Sequence, residues 1–368
     1  MTQVVAERRA FAMPSVLQLL SWVGLATSLV TLAIATPKLV EEGGGASMVL
    51  GNIAQYGWTI LLLLVIFAQT RTIGARALTG AALGGFFGVS SLAVLVGKPL
   101  VDRLGQQSVF VMTIFAPVTE ELLKLMPVAI FLLFAMRSKQ FRPSIADAVL
   151  FGTTVACGMS MYENILYARG TEGGWLANLP FSPALPFLHM QGSMLVGGHV
   201  VYTALASLGL AVTVIYGRRV RLARFAFPLT LAIVIFEHMT VDRLVLIGSE
   251  ELGLFAKFSL LITLGGYLST VLLVASVAAV SVFETRLMRS GGESLPASLT
   301  VRDIIAGFRQ SSRWASVVQL RKRLRYESLR RSSILAASQT ERTAPDANAM
   351  ASVRRSYLSA ELASGVAA

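Results

Sequence analysis

Cysteine, histidine and charge are all scarce in this chain. A single cysteine, Cys157, excludes an internal disulfide and any cysteine-based metal cluster. Charged residues make up 14% of the 368, well below the roughly one quarter of ordinary soluble domains. With 54% hydrophobic residues and a mean hydropathy of +0.66, the composition predicts an all-α, polytopic membrane helix bundle. The sequence contains no Walker loop, no dinucleotide fingerprint and no internal repeat, so the nucleotide chemistry and solenoid folds that those patterns signal are not indicated.

What the chain does have is a formal net charge of +12, unevenly distributed. Residues 289–368 hold 13 Lys/Arg against 6 Asp/Glu, and most of the remainder lies in short loops. That pattern reports membrane orientation rather than nucleic-acid binding. Apolar runs predict spans at 14–36, 49–69, 73–97, 108–136, 144–168, 186–216, 225–247 and 254–288, about eight transmembrane helices. The first follows Arg8 and Arg9 and ends in Ala33-Ile34-Ala35, a potential signal-peptidase site. It is longer than the apolar region of a typical signal peptide, which favours a retained helix. The 108–136 run contains Pro117 and Pro127, and a re-entrant piece followed by a helix is the alternative there.

Arg71 and Arg76, then Arg137, Lys139 and Arg142, then Arg218, Arg219, Arg221 and Arg224 occupy alternate loops. The intervening loops are mixed or acidic. The positive-inside rule therefore places both termini in the cytoplasm. The chain divides into a cytoplasmic N-terminus (1–13), N-terminal helices (14–100), a core of helices (101–247), a last helix (248–288) and a basic cytoplasmic tail (289–368). A basic helix around Trp314 to Leu329 could contact anionic lipid at the inner leaflet; a solvated tail is the alternative. Gly80, Gly84 and Gly88, at four-residue spacing, suggest close helix packing.

Against this apolar background the ionisable residues of spans four to seven stand out. A charge at bilayer depth costs at least ~3 kcal/mol on insertion scales and usually marks function. Glu120 and Lys124 are four apart, hence on one helix face, with Glu121 turned by about 100°. Two carboxylates so close in low dielectric repel, and Lys124 can hold one of them ionised while the other exchanges protons. Glu163 has Asn164 beside it and Tyr167 one turn on. His199 is expected about a third of the way into the sixth span, and His238 and Asp242 repeat the four-residue spacing in the seventh. A carboxylate one turn from an imidazole can fix its tautomer. Counted inward from the predicted outer boundaries at about 1.5 Å per residue, Glu120, Glu163, His199 and His238 share the outer half or the midplane. Asp147, near the cytoplasmic start of its span, reads as a helix-start residue.

These residues resemble the PrsW family of intramembrane glutamic peptidases, within the wider CAAX-prenyl-protease and bacteriocin-processing group. PVTEELLK is similar to the family's EExxK motif, and DAVLFGTTVACGMSMYENILYA resembles its glycine-rich span ending in ENxxY. GHVVYTALASLGLA and EHMTVD are similar to its two histidine motifs; the last ends in Asp242 where asparagine is common. The resemblance implies an endopeptidase cleaving a membrane-anchored protein near the outer face, such as an anti-sigma factor in regulated proteolysis, in a prokaryotic plasma membrane. It implies Glu120 or Glu121 as general base, His199 and His238 polarising the carbonyl or orienting the water, Glu163 and Asn164 completing the site, and Lys124, Tyr167 and Asp242 supporting it. Metal-independent catalysis is expected, although Glu120, His199 and His238 form a set that zinc could use. Two rival readings remain, a proton-coupled transporter and a non-catalytic membrane scaffold of the same fold. The absence of paired broken helices in two halves weighs against the transporter.

Overall fold

The computed structural model describes residues 45–68, 70–105, 108–137, 142–167, 189–191, 194–196, 198–247, 254–265 and 267–291. The predicted first span and the basic tail beyond residue 291 lie outside these. The described helices are α1 (Gly45–Ile66), α2 (Ala75–Leu104), α3 (Ala116–Arg137), α4 (Ile145–Tyr167), α5 (Gly198–Tyr216), α6 (Ala226–Ile247), α7 (Leu254–Ile262) and α8 (Leu268–Gly291). Five stretches, Ala75–Leu104, Ile145–Asn164, Gly198–Tyr216, Arg221–Leu244 and Leu268–Leu287, are long and apolar enough to cross a membrane. α3 carries Glu120, Glu121 and Lys124 and is not among those five.

α4 and α5 form the centre of the bundle. Their membrane stretches are 83% and 72% buried, against 22–28% for the other three, so α4 and α5 are enclosed while the outer helices leave most of their surface uncovered. The core joins Leu125, Val128 and Leu132 of α3, Val149 and Leu150 of α4, Val201 and Leu205 of α5 and Val234 of α6. Between apolar helices in lipid, association depends on close packing, and glycine permits it. A Cβ on Gly85 would strike the carbonyl of Val155, and one on Gly158 would strike the carbonyl of Ala82 and the amide of Phe86. α2 and α4 therefore meet backbone to backbone. The expected glycine stripe is corrected here: Gly80, Gly84 and Gly88 have nothing within 4 Å of an added Cβ, and Gly85 is the α2 glycine in contact. Gly158→Val is expected to destabilise the protein by about 3 kcal/mol, because the opposing atoms are backbone and cannot step aside. Thermal unfolding in detergent measures this, with Gly88→Val as the near-neutral control.

Two other expectations are revised, and one alternative is set aside. The 108–136 run shows no break into a first piece and a helix: helix continues from residue 109 through a π turn at Val111–Phe115 into α3. Pro117 has no N–H to return to the carbonyl of Thr113, so the turn before it widens. The sixth span does not begin at 186. His189–Gln191 and Met194–Val196 pair as two short antiparallel strands, and α5 starts at Gly198 in the left-handed region, φ 51°. The 254–288 run is not one helix. Leu264 at φ 53° and Gly265 at φ 70° end α7, and α8 begins after them.

The start of α4 is a structural knot. Asp147 accepts from the amides of Thr72 (2.6 Å), Ile73 (3.0 Å) and Ser144 (2.9 Å) and from the Thr72 hydroxyl. Glu284 of α8 accepts from the amides of Ile145 (2.6 Å) and Ala146 (3.4 Å). These carboxylates satisfy the orphan amides of a helix N-terminus and of the loop before α2. Asp147 is a helix-start residue, as its position suggested, and takes no part in the site described next.

Candidate active site

Four helices each contribute to one polar cluster. α3 presents Glu120, Glu121 and Lys124; α4 presents Glu163; α5 presents His199 in its first turn; α6 presents His238 and Asp242. The structure brings together seven of the nine residues singled out from the sequence. Asn164, an eighth, points instead to α1, where its amide donates to the Tyr56 hydroxyl at 2.9 Å. The side chain of Tyr167 lies outside the described residues.

Lys124 is the hub. Its Nζ donates to Glu121 Oε1 at 2.8 Å and lies 2.6 Å from His199 Nδ1, with Glu120 Oε2 at 3.6 Å. The i,i+4 pairing of Glu120 with Lys124 is thus the looser contact, and the i,i+3 pairing with Glu121 the tighter. Both spacings place side chains on a shared face. An ammonium has only protons to give, so His199 Nδ1 accepts, and its proton sits on Nε2. That nitrogen donates to Glu163 Oε2 at 2.8 Å. His199 is therefore held as one neutral tautomer by a cation on one side and a carboxylate on the other.

His238 is placed differently. Its Nδ1 donates to Glu121 Oε1 at 3.0 Å, and Nε2 lies 3.5 Å from Asp242 Oδ2. Both ring nitrogens thus face carboxylates. The two imidazoles meet edge to face at 5.0 Å, and Tyr202 stacks on His238 at 5.3 Å. Tyr202 escaped the sequence reading, although it follows His199 by three residues and so shares its helix face. Glu237, fully buried beside His238, was also missed; it accepts from the amide of Ser269 and anchors the start of α8.

Exposure separates the two glutamates. The side chains of Glu121 and Lys124 are fully buried, whereas Glu120 retains 22% exposure and His199 23%. Glu120 Oε2 is 3.9 Å from His199 Nδ1. Glu120, His199 and His238 each offer a ligand atom within 4.8 Å of the others. One carboxylate and two imidazoles are donors that zinc uses, but His199 Nδ1 is taken by Lys124 and His238 Nδ1 by Glu121, so an ion would have to displace those contacts.

Buried carboxylates, imidazoles and an ammonium, gathered from four helices of a membrane bundle, define a class of polytopic protein with a polar cluster inside its own helices. A comparison with family models gives a match to the family described as PrsW family intramembrane metalloprotease over residues 74–283, more than half of the chain. The chain belongs to the PrsW family, an intramembrane protease family. Searches of curated proteins and of solved structures find no significant match.

Proposed function

We propose that the protein hydrolyses a peptide bond of a membrane-anchored protein, with Glu120 as the general base. The observation that carries this reading is the division of labour between the two glutamates. Glu121 is sealed between Lys124 and His238, while Glu120 is partly open beside His199. A base must reach the water it activates, and of the two only Glu120 has that access.

In this reading Glu120 takes a proton from water as its oxygen attacks the carbonyl carbon. His199, with both nitrogens engaged, sets its ring beside Glu120 and bounds the place where the water sits. His238, with Nδ1–H held by Glu121, turns Nε2–H from Asp242 to the carbonyl oxygen and stabilises its negative charge in the tetrahedral intermediate. Glu120 then returns the proton to the departing amine as the C–N bond breaks. Lys124 keeps Glu121 ionised and His199 in place, and Glu163 holds the far side of that ring. Asn164 steadies the end of α4 that carries Glu163, and Tyr167 belongs to the same motif. Were an ion bound, Glu120, His199 and His238 would hold it, and it would polarise the carbonyl and acidify the water. Treating the purified protein with a chelator, then restoring zinc, distinguishes the two forms of the mechanism.

The substrate class is what the family resemblance implies: a membrane-tethered regulatory protein, of the anti-sigma type, in a prokaryotic plasma membrane, with the depth of the site placing the cut toward the outer face. Both termini, including the basic tail, would then be cytoplasmic, the tail lying against anionic lipid. The test compares membrane proteomes of cells carrying the native protein and Glu120→Gln at equal levels. A full-length membrane protein should accumulate in the variant while its truncated form disappears. Identical fragment patterns would overturn the reading.

A further inference from the structure

The family match begins at residue 74, yet α1, Gly45–Ile66, reaches the site from outside that region. Its Tyr56 hydroxyl accepts from Asn164 at 2.9 Å and also hydrogen-bonds the side chain of Ser160. Ser160 and Asn164 are one turn apart on α4, so a single phenol oxygen ties the turn that carries Glu163. The body of the ring and Ile60 pack on Ala156, Cys157 and Val200. Val200 is the neighbour of His199. Tyr56 therefore packs in the cluster that holds the neighbour of His199 and hydrogen-bonds the neighbour of Glu163, the two partners of the 2.8 Å contact.

We propose that Tyr56 is a positioning residue, through which α1 sets the Glu163–His199 contact and completes the site. The proposal rests on the peptidase reading above for its consequence in catalysis, but its structural part stands alone. Tyr56→Phe removes one oxygen and keeps the ring packed, so the fold is retained. The contact between Glu163 and His199 then loosens at its α4 end.

Two readouts on the purified full-length protein test this. The first is the rate at which diethyl pyrocarbonate modifies His199, followed by mass spectrometry with His238 as internal reference. In the native protein both nitrogens of His199 are engaged. In Tyr56→Phe the rate should rise about threefold or more, the scale of one weakened hydrogen bond. An unchanged rate overturns the proposal. The second uses the membrane protein that accumulates in Glu120→Gln cells as substrate. Tyr56→Phe should lower kcat about tenfold with KM within about twofold, and should add less than its single effect in an Asn164→Ala background, where only the Ser160 bond is left to lose. Equal kcat, a loss in KM alone, or additive losses would each overturn it. If Glu120→Gln and Glu121→Gln both leave cleavage intact, the peptidase reading fails, and the labelling rate still decides the role of Tyr56.

Discussion

Glu120→Gln should lower the rate of substrate cleavage by about a thousandfold, within the range expected for loss of a general base, and leave thermal stability almost unchanged. The amide matches the carboxylate in shape, so the variant removes proton affinity and little else. Its stability cost is small because the lost ion pair is loose, at 3.6 Å from Lys124, and Glu120 is partly open to solvent. Glu121→Gln should behave differently. Glu121 is fully buried and takes both the Lys124 and His238 hydrogen bonds, so neutralising it leaves the ammonium without its nearest counter-charge. That variant should lose about 3 kcal/mol of stability as well as activity. Unfolding curves in detergent beside cleavage assays separate the two. The reverse pattern, a stable Glu121→Gln that is inactive beside an active Glu120→Gln, would move the base to Glu121.

Much of this site was legible because membrane burial makes charge informative. Glu120, Glu121 and Lys124 interrupt an otherwise apolar segment, and no packing requirement calls for three charges there. The four-residue spacing of His238 and Asp242 likewise predicted their proximity. Helix periodicity cannot, however, choose between i,i+3 and i,i+4 partners, and Lys124 lies nearer Glu121 than Glu120. Nor did hydropathy reveal that α5 begins at Gly198. The stretch before it is apolar whether helical or extended, and the break is made by a glycine at φ 51°. His199 consequently sits in the first turn of α5 rather than a third of the way along a span. It still meets Glu120, because Lys124 and Glu163 fix it from α3 and α4. The same ambiguity hid the break at Leu264 and Gly265. Tyr56 gave no signal of its own: a tyrosine in an apolar helix is ordinary, and only tertiary packing shows its hydroxyl on Asn164.

The second large effect concerns Lys124, and it separates catalysis from folding. Lys124→Met removes the cation from a fully buried cluster and leaves the Glu121 carboxylate without its 2.8 Å partner. Breaking such a pair on one side costs about 3–5 kcal/mol, so the variant should unfold at a much lower temperature and accumulate poorly. Activity should fall as well, because His199 loses the donor that fixes Nδ1 as acceptor. Loss of activity in the single variant is therefore ambiguous, and a second substitution resolves it. In Lys124→Met combined with Glu121→Gln, no fully buried carboxylate remains beside the lost ammonium, Glu120 being partly open to solvent, and the amide oxygen can still accept from His238 Nδ1. Stability should return to within about 1 kcal/mol of native, since neutral groups replace both members of the pair. Cleavage should not return, because His199 still lacks its donor and Glu120 has lost the charge that flanked it. Recovery of stability together with cleavage would show Lys124 to be a counter-ion alone. Recovery of stability without cleavage would assign it the second role, holding His199 beside Glu120.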